Sequence, residues 1–321
     1  MRRRRFLALA LVSIVPAVRA QPKVARIAYL SPLSADSDKA YFSAFRQGLK
    51  EHGYVEGVNV AIDVRYASGK LERLPALAAE LARGNPDLFV AYAQDAVIAA
   101  AKASSVPVVI SNTQDPLASG LVPSLARPGG RITGMSDFHA ASTAKRLEIL
   151  KETLPRLARL AVFWRAGNAP HRPQVDDLRR RAPRLGVALL TLEINRPEDI
   201  EPAFATMQRE RADALLMLGE SVLTANQKRI IELSRKTGIP VMYTSPLFAE
   251  LGGMLSYGAN IAELCRRSAG HVDKILKGAK PGDLPIEQPT QFELVVNVKT
   301  ARAMGIPIPR SILLRADRVI E

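Results

Sequence analysis

At 321 residues and a formal net charge of +14, the chain is long enough for two cores, and 47% hydrophobic with 24% charged residues excludes disorder. A single cysteine excludes an internal disulfide, and four histidines without metal-ligand spacing leave no metal site to expect. The positive charge does not imply nucleic acid. Its densest cluster, Arg179 to Arg181 with Arg184, falls on a helical stretch without interleaved aromatics and reads as a solvated face.

Residues 1–20 read as a signal peptide: Arg2 to Arg5, then the apolar run 6–15, then Val18-Arg19-Ala20 before Gln21. Arg3-Arg4-Arg5-Phe6-Leu7 also resembles a twin-arginine export signal. The apolar run is too short to span a bilayer, which needs about twenty residues. Cleavage after Ala20 removes five arginines and lowers the formal charge from +14 to about +9. No cysteine stands at that site to carry a lipid, so a soluble periplasmic product is expected.

From residue 25 onward, short apolar runs alternate with helical periodicity. Strands are expected at 25–30, 60–66, 88–92 and 106–110, with helices at 38–52, 71–83 and 95–104 between them. This βαβ rhythm specifies a doubly wound parallel sheet. The stretch 106–138 organises the rest. Its first strand ends on Ser111-Asn112, Asp115-Pro116 opens a turn with a short helical piece, and Arg127-Pro-Gly-Gly130 precedes a strand at 131–135 ending on Ser136-Asp137. There the chain is expected to cross to a second lobe.

The pattern then restarts, with strands at 160–164, 188–192, 214–218 and 240–244 and helices at 145–154, 173–185, 197–210 and 223–237. A strand at 252–258, a helix at 260–277 with Cys265 on its apolar side, a proline-bearing segment at 284–289 and a strand at 292–297 follow. The proline segment suits a further crossing between lobes.

Motifs for catalysis are missing: the first strand leads into Ser31-Pro32-Leu33-Ser34 instead of a glycine fingerprint, and no P-loop, zinc-protease or nucleophile-elbow pattern occurs. No enzyme activity and no cofactor are expected. Polar residues instead finish nearly every strand. In the first lobe these are Ser31, Gln94, Asp95, Ser111 and Asn112, and at the crossing Ser136 and Asp137. In the second lobe they are Asn168, Glu220, Ser221, Thr244 and Tyr257. Ligands of open α/β sheets sit outside the carboxyl ends of strands, so these residues are candidates for a cleft holding a small polar solute. Helices starting just after Gln94 and Asp115 would offer N–H groups to a carboxylate. Asp137 with Glu220, or Asp137 alone with Glu220 a solvated loop residue, would favour a solute bearing a cationic nitrogen, most simply an amino acid or a relative of one.

Several stretches resemble the extracytoplasmic substrate-binding proteins of ABC importers. They are Phe45-Arg-Gln-Gly-Leu-Lys-Glu-His-Gly-Tyr-Val-Glu-Gly-Val-Asn-Val60, Asp115-Pro116, Arg127-Pro-Gly-Gly-Arg-Ile-Thr-Gly134, Gly253-Met-Leu-Ser-Tyr-Gly258 and Ile275-Leu-Lys-Gly-Ala-Lys-Pro281. The resemblance is to the family that includes tryptophan- and other aromatic amino-acid-binding receptors, and it runs in order along the mature chain. It implies a type I periplasmic-binding fold: two flavodoxin-like lobes joined by a three-crossing hinge, 24–136 plus 259–288 and 137–258 plus 289–321. It also implies a monomer whose partners are a small solute and the membrane permease of an importer. Asp137 matches the acidic position that faces an amino group in such receptors. Ala93-Gln94-Asp95 and Gly219-Glu220-Ser221 depart from the family's Thr-Pro or Ser-Pro and Asp-Asn-like pairs. Two alternatives stay open: a periplasmic sensing subunit for a signalling receptor, and an exported hydrolase or transferase using the same cleft.

The exported protein is expected to begin at Gln21, which intact-mass measurement checks; a start beyond about residue 30 would cut the first strand and refute the assignment.

Overall fold

The computed structural model describes residues 24–137 and 139–321; the expected signal peptide, its expected cleavage site and Phe138 lie outside the described residues. The first part of the chain runs β1 (Ala25–Ser31), α1 (Ala35–Glu51), β2 (Val60–Tyr66), α2 (Leu74–Arg83), β3 (Leu88–Tyr92), α3 (Ala93–Ala103), β4 (Val108–Asn112) and β5 (Ile132–Gly134). The second part runs α4 (His139–Thr153), β6 (Arg159–Trp164), α5 (His171–Arg181), β7 (Ala188–Glu193), α6 (Ile200–Arg209), β8 (Ala214–Met217), α7 (Ser221–Ala225), α8 (Gln227–Thr237), β9 (Val241–Tyr243), α9 (Pro246–Glu250) and β10 (Leu255–Gly258). It closes with α10 (Ile261–Leu276), β11 (Glu293–Asn297), α11 (Val298–Ala303), α12 (Arg310–Arg315) and β12 (Arg318–Ile320).

The first sheet has the order β2-β1-β3-β4-β5, with every pair parallel. Alternation along β1 sends Ile27 and Tyr29 to one core and Ala28 and Leu30 to another, so helices must cover both faces. Helix α1 starts on a reciprocal cap between Ser34 and Ser37 and buries Tyr41, Phe45 and Leu49. It packs on α10, which follows β10 of the other sheet and returns to complete this lobe. Gly48 makes that approach possible, since a side chain there would strike the Arg266 carbonyl. Cys265 lies in the same core, fully buried, and burial pushes its thiol up.

The second sheet repeats the arrangement. Its order β12-β11-β10-β9-β8-β6-β7 contains β7-β6-β8-β9-β10, the same flavodoxin-like order as the first. Again two cores form, one around Leu160, Val162 and Leu216, the other around Phe163, Leu215 and Met217. The departure from an all-parallel sheet is β11, which runs antiparallel to β10 with Leu255 opposite Val296. The chain reaches that edge from a crossing segment without an intervening crossover helix, so no parallel pairing is imposed.

The chain passes between the sheets after β5, after β10 and along residues 284–292. The first and third passages touch: the Ser136 amide donates to the Glu287 carbonyl, and the Glu287 amide to the Gly134 carbonyl, each at 2.9 Å. Two expectations are corrected. No helix follows Asp115-Pro116; the segment is a run of turns in which Asp115 Oδ1 accepts from the Leu117 and Ala118 amides, both at 3.0 Å. Helix α3 begins at Ala93, ahead of Gln94. Among the described residues no helix is long and apolar enough to cross a membrane, and no group of three or more His, Cys, Asp or Glu could hold a metal ion.

Gly258, at the second passage, lies against the Thr244 carbonyl, and a methyl group there would overlap that oxygen. Gly258→Ala is expected to destabilise the protein by about 1–3 kcal/mol, whereas Gly130→Ala, which meets nothing, should stay within about 0.5 kcal/mol. Urea midpoints of the two variants check this.

Candidate functional site

Flavodoxin-like order places the carboxyl ends of the central strands at one edge of each sheet, and here those edges enclose a common space. The cavity measures about 540 Å³ counted with its opening to solvent. Every strand end that reaches it is a carboxyl end: Ala93 to Asp95 follow β3, Asn112 ends β4 with Thr113 and Gln114 after it, and Asp137 follows β5. From the other sheet come Asn168 after β6, Gly219 to Ser221 after β8, and Thr244 and Ser245 after β9. The lining is mostly hydroxyls, amides and carboxylates.

Gln94, Asp95, Asn112, Asp137, Asn168, Glu220, Ser221 and Thr244 are thus brought together as the sequence suggests. Ser31, Ser111, Ser136 and Tyr257 are not among the lining residues. Ser31 Oγ accepts from the Leu33 amide at 3.2 Å, stabilising the turn into α1. Ser111 lies within β4, since that strand runs to Asn112, and its hydroxyl donates to the Ala91 carbonyl at 3.3 Å. Ser136 donates to the Gln114 carbonyl at 2.5 Å, and Tyr257 stacks on Phe292 with centroids 6.0 Å apart.

Sequence reasoning missed Tyr41 and Tyr92, which stack at 5.2 Å and form a buried wall of the cavity. Tyr41 sits mid-helix and gives no local signal. Ala93 carries φ +64° at the wall, a left-handed conformation that costs a non-glycine residue about 1–2 kcal/mol. Asn112 Oδ1, Thr113 Oγ1, Gln114 Oε1 and Asn168 Oδ1 are buried and without hydrogen-bond partners among the described residues. These four atoms give the cavity unused hydrogen-bonding capacity.

Arg165 was also missed, although it directly follows the end of β6. Its Nε donates to Glu220 Oε2 at 2.9 Å, and its guanidinium reaches Asp95 Oδ2 at 2.7 Å. Glu220 further accepts from Asn168 Nδ2 and from the amide and hydroxyl of Ser221, all at 3.0 Å. Burial alone would raise the Glu220 carboxyl, but Arg165 and Asn168 outweigh it and hold the group below its ordinary value. For Asp95 burial wins over the same arginine and leaves its carboxyl raised. The expectation that Glu220 joins Asp137 in facing a cationic ligand group is therefore revised: Arg165 already answers Glu220.

Near the tyrosine wall, Asp38 in the first turn of α1 is fully buried, and among the described residues neither carboxylate oxygen has a hydrogen-bond partner. Burial pushes its carboxyl up to about 7, offset only in part by the Tyr29 and Ser31 hydroxyls at longer range. Such a group keeps a proton in the folded state that the unfolded chain, at about 3.9, has already lost. Folding is therefore favoured as pH falls from about 7 to about 4, by up to about 1.4 kcal/mol per unit. Glu220 has the opposite sign: its contribution is present above its unfolded value near 4.3 and lost as pH falls through the lower folded value. In urea unfolding, Asp38→Asn should gain stability at pH 8 and flatten the dependence between pH 5 and 7. An unchanged slope would show that Asp38 is not its source.

The same fold recurs in known proteins. The tyrosine-binding protein of Clostridioides difficile (strain R20291) is 24% identical over 270 residues, spanning 84% of this chain and 77% of that protein. A conserved domain protein of Vibrio cholerae O1 biovar El Tor superposes with a TM-score of 0.85 at 26% identity, over 92% of this chain and 100% of that one. The ABC domain of Streptococcus pneumonia in complex with L-Trp superposes with a TM-score of 0.84 at 25% identity, over 92% and 99% of the two chains. Residues 26–320 match one family along both lobes and all three passages between them, and by that match the chain belongs to the ABC transporter substrate binding proteins.

Proposed function

We propose that the chain is an extracytoplasmic receptor that takes up a small, amine-bearing solute between its lobes and delivers it to the permease of an ABC importer. The observation that carries this reading is a polar cavity lined by carboxyl strand ends of both sheets. The lobes are assigned as 24–136 plus 259–288 and 137–258 plus 289–321, in keeping with the sheet memberships and with α10 packing on α1. Residues 1–20 are assigned as an export signal whose Arg3-Arg4-Arg5-Phe6-Leu7 resembles the twin-arginine type, and the mature receptor as a monomer. The tyrosine-binding relative and the relative in complex with L-Trp favour capture and release over catalysis.

An amino acid or a close relative fits the lining. Asp137 is buried at the cavity wall and supplies a carboxylate for an ammonium group, with Arg146 as a buried cation nearby to balance it. Arg146 is itself held by the Met217 carbonyl at 3.0 Å and Thr143 Oγ1 at 2.8 Å, so it stays in the second lobe. The unpartnered amide oxygens of Asn112, Gln114 and Asn168 add acceptors suited to N–H donors. A tyrosine-binding relative and an L-Trp complex support the same class.

Native mass spectrometry of gently purified protein is expected to show a retained small molecule, released unchanged on denaturation. Thermal-shift screening of amino acids then names the ligand for titration calorimetry. Asp137→Asn should weaken its binding roughly 10- to 150-fold, the loss of one charge-assisted contact. Undiminished affinity, or a native ligand without a basic nitrogen, would refute the amine assignment.

A further inference from the structure

We propose that Arg165 is the latch of the cleft: anchored on Glu220 inside the second lobe, it engages Asp95 of the first lobe when the two lobes close. The latch rests on the reading of this chain as a receptor with moving lobes, and it adds a source of closure that is independent of the solute.

The anchoring lies wholly within the second lobe. The Arg165 amide donates to His171 Nδ1 at 3.0 Å, and His171 Nε2 donates to the Gly219 carbonyl at 2.8 Å, one residue before Glu220. The loops carrying arginine and glutamate are thereby tied to one another. The Glu220 side chain is 1% exposed and keeps Arg165 Nε, Asn168 and Ser221 as partners. None of these contacts involves the first lobe, so all of them survive opening.

Asp95 is different. It sits in the first turn of α3, on the first lobe, with its side chain 23% exposed, and it meets the guanidinium at 2.7 Å. Separation of the lobes must break this contact. The planar fork of arginine lets one edge stay on Glu220 while another reaches across, which the single ammonium of a lysine does less well. Opening strands no buried charge, because Glu220 retains its arginine and Asp95 gains water. The contact can therefore be made and broken reversibly. Other contacts between the lobes are weaker candidates. Lys228 meets Asp36 at 2.8 Å, but both side chains are about two-thirds exposed, and such pairs contribute little. Gln114 Nε2 donates to the Gly219 carbonyl, a neutral bond.

A latch of this kind favours closure whatever occupies the cleft, so the ligand-free protein should already populate the closed form, and salt should reduce that population. The test uses the full mature chain, refolded to remove retained solute, with spin labels at Glu72→Cys and Glu198→Cys, exposed sites on opposite lobes. The buried Cys265 stays in place. Pulsed electron spin measurements should give two inter-lobe distances in the wild-type background. The closed-to-open ratio should fall several-fold in Asp95→Asn, since burial of the carboxylate offsets part of its charge-assisted contact, and 1 M sodium chloride should lower it in the wild type but not in the variant. Asp95→Asn leaves the Arg165–Glu220 pair intact, so its melting temperature should hold, which a merely structural role for Asp95 would not allow. Arg165→Lys should give an intermediate ratio.

Equal ratios in wild type and Asp95→Asn, or a wild type wholly open without ligand, would overturn the latch and leave a closing receptor standing. A single unchanging distance in every protein, with or without salt and with millimolar L-tryptophan or L-tyrosine, would overturn the latch and the closing cleft together.

Discussion

Burying a carboxylate without a counter-charge costs several kcal/mol, and Glu220 is buried at the edge of the second lobe's cleft. The arrangement of that edge follows from meeting this constraint. Arg165 has to stand beyond β6, His171 has to hold the Arg165 loop against Gly219, and Asn168 and Ser221 have to fill the remaining lone pairs. Replacing any one of these leaves an ion short of partners in a site where water is scarce. The same requirement separates the carboxylates around the cavity by role. Glu220 is committed to the protein, Asp95 shares its arginine across the cleft, and Asp137 stands on the far wall.

The cavity itself is a product of repetition. Both sheets use the same strand order, so each exposes the ends of its central strands at one edge, and the passages between sheets bring those edges together. Side chains at the edge are freed from sheet packing and can face the cavity, whereas one residue earlier a polar side chain is used within the sheet itself. β4 illustrates this: Ser111 is spent on the Ala91 carbonyl, while Asn112 and Thr113 reach the cavity.

How much of this was legible in the sequence depends on the range of the interaction concerned. β3 and β4 could be read because strands covered on both faces are short and uniformly apolar, and α1 because its apolar period and Gly53 stop are local. The end of β4 was placed two residues early, which is why Ser111 and Asn112 could not be told apart. The antiparallel course of β11 was not legible, since strand composition is the same in either direction. The pairing of Arg165 with Glu220 spans 55 residues and leaves no periodic trace, and Tyr41 reaches the cavity from the middle of a helix whose pattern marks it as core. Short helices such as α9, of five residues, fall below the length at which periodicity speaks.

The hydrogen bonds between the first and third passages give the junction a mechanical character. Two strands of chain bonded edge to edge through Gly134, Ser136 and Glu287 form a ribbon, and a ribbon flexes readily across its flat face but resists sideways shear. Bending such a strip leaves its rungs nearly undistorted, while sliding one strand past the other would break them. A motion of the lobes that kept these rungs would bend the ribbon and not shear it, like a strap hinge. Under such a motion the two walls of the cleft would meet in the same register at each closure.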